Sequence, residues 1–113
     1  MELDPNGLDQ HAPGAKVDAG KIRPTLTVGA MARAHMAVAQ VGTFGADKYT
    51  DGGWIEVANG FKRYEDAQMR HVFKRHMGET HDPDSKLLHL AHEAWNAMAK
   101  LDLYLRDQEK VKV

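Results

Sequence analysis

The 113-residue chain carries 15 lysines and arginines against 16 aspartates and glutamates, a balance that gives no basic groove for a nucleic-acid polymer and no charged face for a membrane. That length suits one domain with a single core, small enough to gain from assembly. The absence of cysteine excludes disulfides and thiolate zinc sites and suits a reducing cytoplasm. The N-terminal MELDPNGLDQ is acidic and polar, unlike a signal peptide, and no apolar run approaches membrane-spanning length.

Residues 1–24 hold three of the four prolines and several glycines, without an apolar period. They read as an extended arm, followed by a single helical domain over 25–113. From about Ala30 to Ala46, the recurrence of Met31, Ala34, Val38 and Val41 predicts a first helix. It should stop before Lys48-Tyr49-Thr50-Asp51-Gly52-Gly53, where DGG signals a turn. A second helix is expected from Trp54 or later to about Met77, with Asn59-Gly60 as a break near its start. Its apolar residues Phe61, Tyr64, Ala67, Met69, Val72 and Phe73 spread over a broad side, as in a helix with more than one neighbour.

Gly78 suits a helix end, and Asp82-Pro83 or Ser85 suits the next start. The third helix is expected from about Pro83 to Asp107, with Leu87, Leu90, Ala91, Ala94, Trp95, Met98, Leu101 and Leu105 as its apolar stripe. No strand pattern competes. The fold class is therefore all-α: a small bundle of three to four helices with an extended N-terminal arm.

Histidine is over-represented and clustered. Of the seven, His71, His76, His81, His89 and His92 fall within 22 residues. On the third helix His89, His92 and Asn96 lie within roughly 60° of arc, away from the apolar stripe and able to reach one small object. The preceding loop adds Glu79, Asp82 and Asp84, and the second helix adds His71. Imidazole with carboxylate suits a divalent metal such as manganese or zinc, whereas carboxylate alone suits magnesium. Neither HExxH nor a Cys/His finger spacing is present.

Other stretches carry weaker signals. Lys16, Lys21 and Arg23 place three cations within eight residues on a glycine-permitted backbone, a potential polyphosphate clamp. A P-loop is excluded, since GxxxxGK[ST] does not occur. Tyr49 and Trp54 flank the DGG turn, where an aromatic ring can stack on a base or simply anchor the turn. Arg63 and Arg70, seven residues apart, can meet phosphate oxygens, or form a solvated face in which Asp66 pairs with Arg70.

Taken in order, these motifs resemble a known family. Lys16-Val17-Asp18-Ala19-Gly20-Lys21-Ile22-Arg23 is followed by Phe44-Gly45-Ala46-Asp47-Lys48-Tyr49 with Trp54. Next come Arg63-Tyr64-Glu65-Asp66-Ala67 with Arg70-His71, then Gly78-Glu79 with Asp82 and Ser85, and last His89-Leu90-Ala91-His92 with Asn96. Over roughly residues 14–101 the chain resembles the phage-borne N-terminal domain of dATP/dGTP diphosphohydrolases. The resemblance implies a nucleotide-handling protein of a phage or prophage, acting in the host cytoplasm. It also implies hydrolysis of a purine deoxynucleoside triphosphate to monophosphate and pyrophosphate. That activity is shared by all-α MazG-like pyrophosphohydrolases, which hold magnesium through ExxE and ExxD helices. Here Glu79-Thr80-His81-Asp82 has the ExxD spacing, no ExxE lies upstream, and His89 and His92 stand where the ExxD helix pair belongs.

Two functions remain open at this point. As an enzyme, the protein would use Glu79, Asp82 and His92 in catalysis, with a divalent ion (Mg²⁺ or Mn²⁺, with Zn²⁺ an option) held among His71, Glu79, Asp82, His89 and His92. A purine nucleotide would be bound by Lys16, Asp18, Lys21, Arg23, Lys48, Tyr49, Trp54, Arg63, Arg70 and Asn96. As a binding module, it would sequester a nucleotide, for example a host signal, without cleaving it. Its histidines and asparagine would then be hydrogen-bond donors to phosphate or base edges. In either case a homo-oligomer, a dimer or a tetramer, is expected of so small a helical chain.

Overall fold

Segments with apolar residues at helical spacing become helices here, yet the third turns its apolar side outward. The computed structural model describes residues 2–111. Three helices form, α1 (Ala32–Lys48), α2 (Gly60–His76) and α3 (His89–Val111), with short 3-10 turns at Pro24–Leu26 and Gly53–Glu56. Among the described residues there is no strand, only the isolated bridges Leu3–Asp9 and His81–Leu88. None of these helices is long and apolar enough to cross a membrane. The chain is all-α, as its sequence predicts.

Two compact units divide between Met31 and Ala32. The first is extended but pinned locally by Asp4, which is 6% exposed. One carboxylate oxygen of Asp4 accepts the backbone N–H groups of Asn6 and Leu8 at 2.9 and 2.8 Å, and the other accepts that of Lys16 at 3.2 Å. The Leu8 contact leads in holding this carboxyl below its usual range, against the opposing effect of burial.

In the second unit α1 ends at Lys48, and Gly52 at φ 71° reverses the chain into the Gly53–Glu56 turn. The break expected at Asn59-Gly60 is present: Asn59, at φ 56°, separates that turn from α2. Left-handed backbone is cheap for Asn and Gly and costly for most residues, which explains the placement. The hydroxyl of Tyr64 donates to the Trp54 carbonyl at 2.6 Å, fixing the turn against α2. Lys74, Arg75 and His76 occupy the last turn of α2, where cations complement the helix dipole.

The third helix starts later than its sequence suggests. Residues Pro83–Leu88 are not helical, because Asp82 organises a closed loop instead of capping a helix. Asp82 Oδ2 accepts the N–H groups of Ser85 and Asp84 at 2.8 and 3.1 Å. Its own backbone N–H donates to the Leu87 carbonyl at 2.8 Å, and Lys86 is left-handed at φ 65°. Such Asx turns compete directly with helical hydrogen bonding.

The two flanking helices run antiparallel to α3. His71 faces His92, Tyr64 faces Trp95, and a Cβ on Gly60 would lie 3.4 Å from Leu103. Gly42 of α1 brings the backbone against the Trp95 indole, since a Cβ there would come within 3.4 Å of Nε1. The buried side of α3 is His89, His92, Asn96 and Ala99, with Ala91 beside it. Much of the expected apolar stripe faces solvent: Leu90, Met98, Leu101 and Leu105 are each at least half exposed. The helix thus presents polar groups to its neighbours and carries an unpaired apolar band on the opposite side, roughly 180° away.

Candidate functional site

Burying imidazoles and amides is unfavourable unless each finds a partner. On α3 they do. His89 is fully buried and bonded at both ring nitrogens: Nε2 lies 2.8 Å from Glu79 Oε1, and Nδ1 lies 2.8 Å from His71 Nδ1. His71 stacks on His92 with ring centroids 4.3 Å apart and planes 9° from parallel. His92 Nε2 lies 2.7 Å from Ser85 Oγ, which also accepts the Leu87 N–H at 3.1 Å. Phe44 of α1 meets the His92 ring edge-on at 6.5 Å. Below this row, Arg75 grips Glu93 through two bonds of 2.7 and 3.0 Å, tying α2 to α3.

The hydrogen bonds also order the protons. A carboxylate oxygen only accepts, so His89 carries its proton on Nε2. In the neutral ring its Nδ1 is then a lone pair that accepts from His71 Nδ1–H. This leaves the Nε2 lone pair of His71 without a partner among the described residues. Burial, followed by the neighbouring His92 and His89, depresses the His71 pKa to about 4. Burial likewise lowers His92, opposed by the charge of Asp82. Burial pushes Asp82 upward, but the Ser85 backbone and side-chain bonds and the adjacent imidazoles bring it below the usual carboxylate range.

Neutral imidazoles beside an ionised carboxylate form a donor set that suits a divalent ion. His71, Asp82 and His89 can each offer one ligand atom, all within 4.8 Å of one another. Glu79 stands one step outside this group, as the hydrogen-bond partner of His89, and His92 stands beside it against the His71 ring.

A cavity of about 810 Å³ opens over this row, between α1, the Gly53–Glu56 turn, α2 and α3. That volume is within the range of small-molecule sites. Lys48, Tyr49, Trp54, Arg63, Arg70 and Asn96, singled out from the sequence, all line it, as do His71 and His92. Lys48 also bridges to Asp84 at 2.8 Å. Lys16, Asp18, Lys21 and Arg23 lie in the first unit and are exposed.

The structure adds Trp95 and Tyr64 to the lining. With Trp54 they form a ring cluster of centroid separations 5.5 to 6.5 Å. Sequence periodicity placed Trp95 in the apolar stripe; its position next to Asn96 was the available hint that it borders the polar row.

A family model for dATP/dGTP diphosphohydrolase, N-terminal, matches residues 11–112. The chain belongs to this family. No curated protein and no solved structure matched it.

Proposed function

We propose that this family member hydrolyses a purine deoxynucleoside triphosphate, dGTP or dATP, to the monophosphate and pyrophosphate with the help of a divalent ion. The observation that carries this reading is a single one. A cavity with cations and aromatic rings on its walls opens directly onto the neutral His71 of a histidine–carboxylate cluster.

In this reading Lys48, Arg63 and Arg70 neutralise the triphosphate, and the Trp54–Tyr64–Trp95 wall receives the base. His71, Asp82 and His89 would hold the ion, with imidazole favouring Mn²⁺ or Zn²⁺ over Mg²⁺. When bound, such an ion supplies Lewis acidity toward phosphate oxygens. Glu79 orients His89 through its Nε2–H. His92 lines the cavity outside the three-donor group and serves as the general base. It takes the proton of a water as that water's oxygen bonds to phosphorus and the bridging P–O bond between monophosphate and pyrophosphate breaks.

The family resemblance supports the substrate class. The outward apolar band of α3 supports a homodimer, because Leu90, Met98, Leu101, Tyr104 and Leu105 together expose on the order of 600 Å², approaching the ~800 Å² per partner of a standard interface.

The test is a chromatographic assay of the purified chain with dGTP and dATP plus Mn²⁺ or Mg²⁺, following nucleotide and pyrophosphate together. Equimolar monophosphate and pyrophosphate, abolished by Glu79→Ala and by His89→Ala, are expected. Intact nucleotide co-eluting with the protein would overturn the hydrolytic reading and make the chain a sequestering module.

A further inference from the structure

Asn96 sits on the buried side of α3, 4% exposed, and lines the cavity one turn from His92. Its Nδ2 donates to the His92 carbonyl at 2.8 Å. A carbonyl only accepts, so this contact fixes which way the amide points: nitrogen toward its own helix, Oδ1 away from it. Oδ1 takes no hydrogen bond among the described residues. Nor is it sealed in the protein, unlike Gln68 Oε1, which is buried and unpartnered. An acceptor left open on a cavity wall is met by water until a ligand donor takes the water's place.

The chemistry of that ligand group follows. An amide oxygen repels phosphate oxygens, so Asn96 does not belong to the phosphate subsite. Trp95, the next residue along the helix, lines the same cavity and clusters there with Trp54 and Tyr64. Rings beside a lone acceptor suit a flat heterocycle that carries an N–H group on its edge.

We infer that Asn96 is a specificity residue, accepting a hydrogen bond from an amino or ring N–H on the edge of the bound base. The inference rests on the nucleotide reading above and sharpens it. Adenine offers its exocyclic amine, and guanine its N1–H or 2-amine. An unsubstituted purine offers no donor at all.

Calorimetric titration separates these cases. The ligands are the α,β-methylene triphosphates of 2′-deoxyadenosine and of the 2′-deoxynucleoside of unsubstituted purine, with Mn²⁺ present. The wild-type chain should bind the adenine compound about twofold to twelvefold more tightly, as befits one neutral hydrogen bond. Asn96→Leu and Asn96→Ala should erase that preference while both compounds still bind. Equal affinity of the two compounds for the wild-type protein would overturn the inference and leave the nucleotide reading standing. A preference that survives in both variants would also overturn it, by assigning the contact to another residue. Failure of the wild-type chain to bind either compound would overturn the inference and the nucleotide reading together.

Discussion

Replacing Glu79 tests the buried chain of imidazoles without touching the cavity. His89 is fully buried, and the acceptor for its Nε2–H is Glu79 Oε1 at 2.8 Å. The Glu79 side chain is itself 42% exposed, so its own packing contributes little. In Glu79→Leu the His89 N–H loses its partner where water does not reach, which costs about 1–3 kcal/mol. The two imidazoles can shift their shared proton, leaving a bare ring nitrogen unpaired in place of an N–H, so about 1 kcal/mol is the floor. Glu79→Gln keeps an acceptor oxygen and should cost less than about 1 kcal/mol. Urea unfolding at pH 7 in the presence of a chelator measures both variants without interference from metal. Stability of Glu79→Leu within about 0.5 kcal/mol of wild type would refute the argument. So would equal losses in the two variants, since the carboxylate charge and not the acceptor would then be what matters.

Other consequences are open to measurement. The depressed pKa of His71 means that the unfolded chain binds a proton the folded one refuses. Its contribution is therefore complete above the unfolded value near 6.5 and is lost as pH falls through the window toward about 4. After discounting for partial exposure the loss is on the order of 2 kcal/mol, and unfolding across pH 4–7 should lose this slope in His71→Asn. Leu101 is 59% exposed on the outward band of α3, so Leu101→Glu should change monomer stability by less than about 0.5 kcal/mol while shifting the mass measured by light scattering from dimer to monomer. Gly45 lies inside α1 with nothing within 4 Å of a Cβ. Gly45→Ala should accordingly raise stability by about 0.5–1 kcal/mol in thermal unfolding.

Much of this architecture is written in local sequence. The apolar spacing of Val38 and Val41, the DGG turn, the Asn59-Gly60 break and Gly78 each act through neighbouring residues, and each appears where expected. The start of α3 was not legible in the same way. Asp82-Pro83 and Ser85 are good helix-start signals, but the Asp82 carboxylate bonds to Ser85 N–H in a closed loop, and only the antiparallel pairing of His81 with Leu88 decides between the two.

The inward side of α3 was harder still. Periodicity ranks Leu90, Leu101 and Leu105 as core, whereas His89, His92 and Asn96 are buried. That inversion depends on partners from elsewhere in the chain: His71 on α2, and Glu79 and Ser85 in the loop. The register of His89, His92 and Asn96 was visible. What they bond to was not.

In the proposed reaction His71, which lines the cavity, holds a divalent ion together with Asp82 and His89 behind it. Electron paramagnetic resonance of a Mn²⁺ titration tests this most directly, because ligating imidazoles leave ¹⁴N couplings on the manganese signal. One tightly bound ion per chain is expected, with imidazole nitrogen couplings that weaken in His71→Asn and in His89→Asn. A spectrum that stays that of hydrated Mn²⁺, or nitrogen couplings unchanged in both variants, would contradict it.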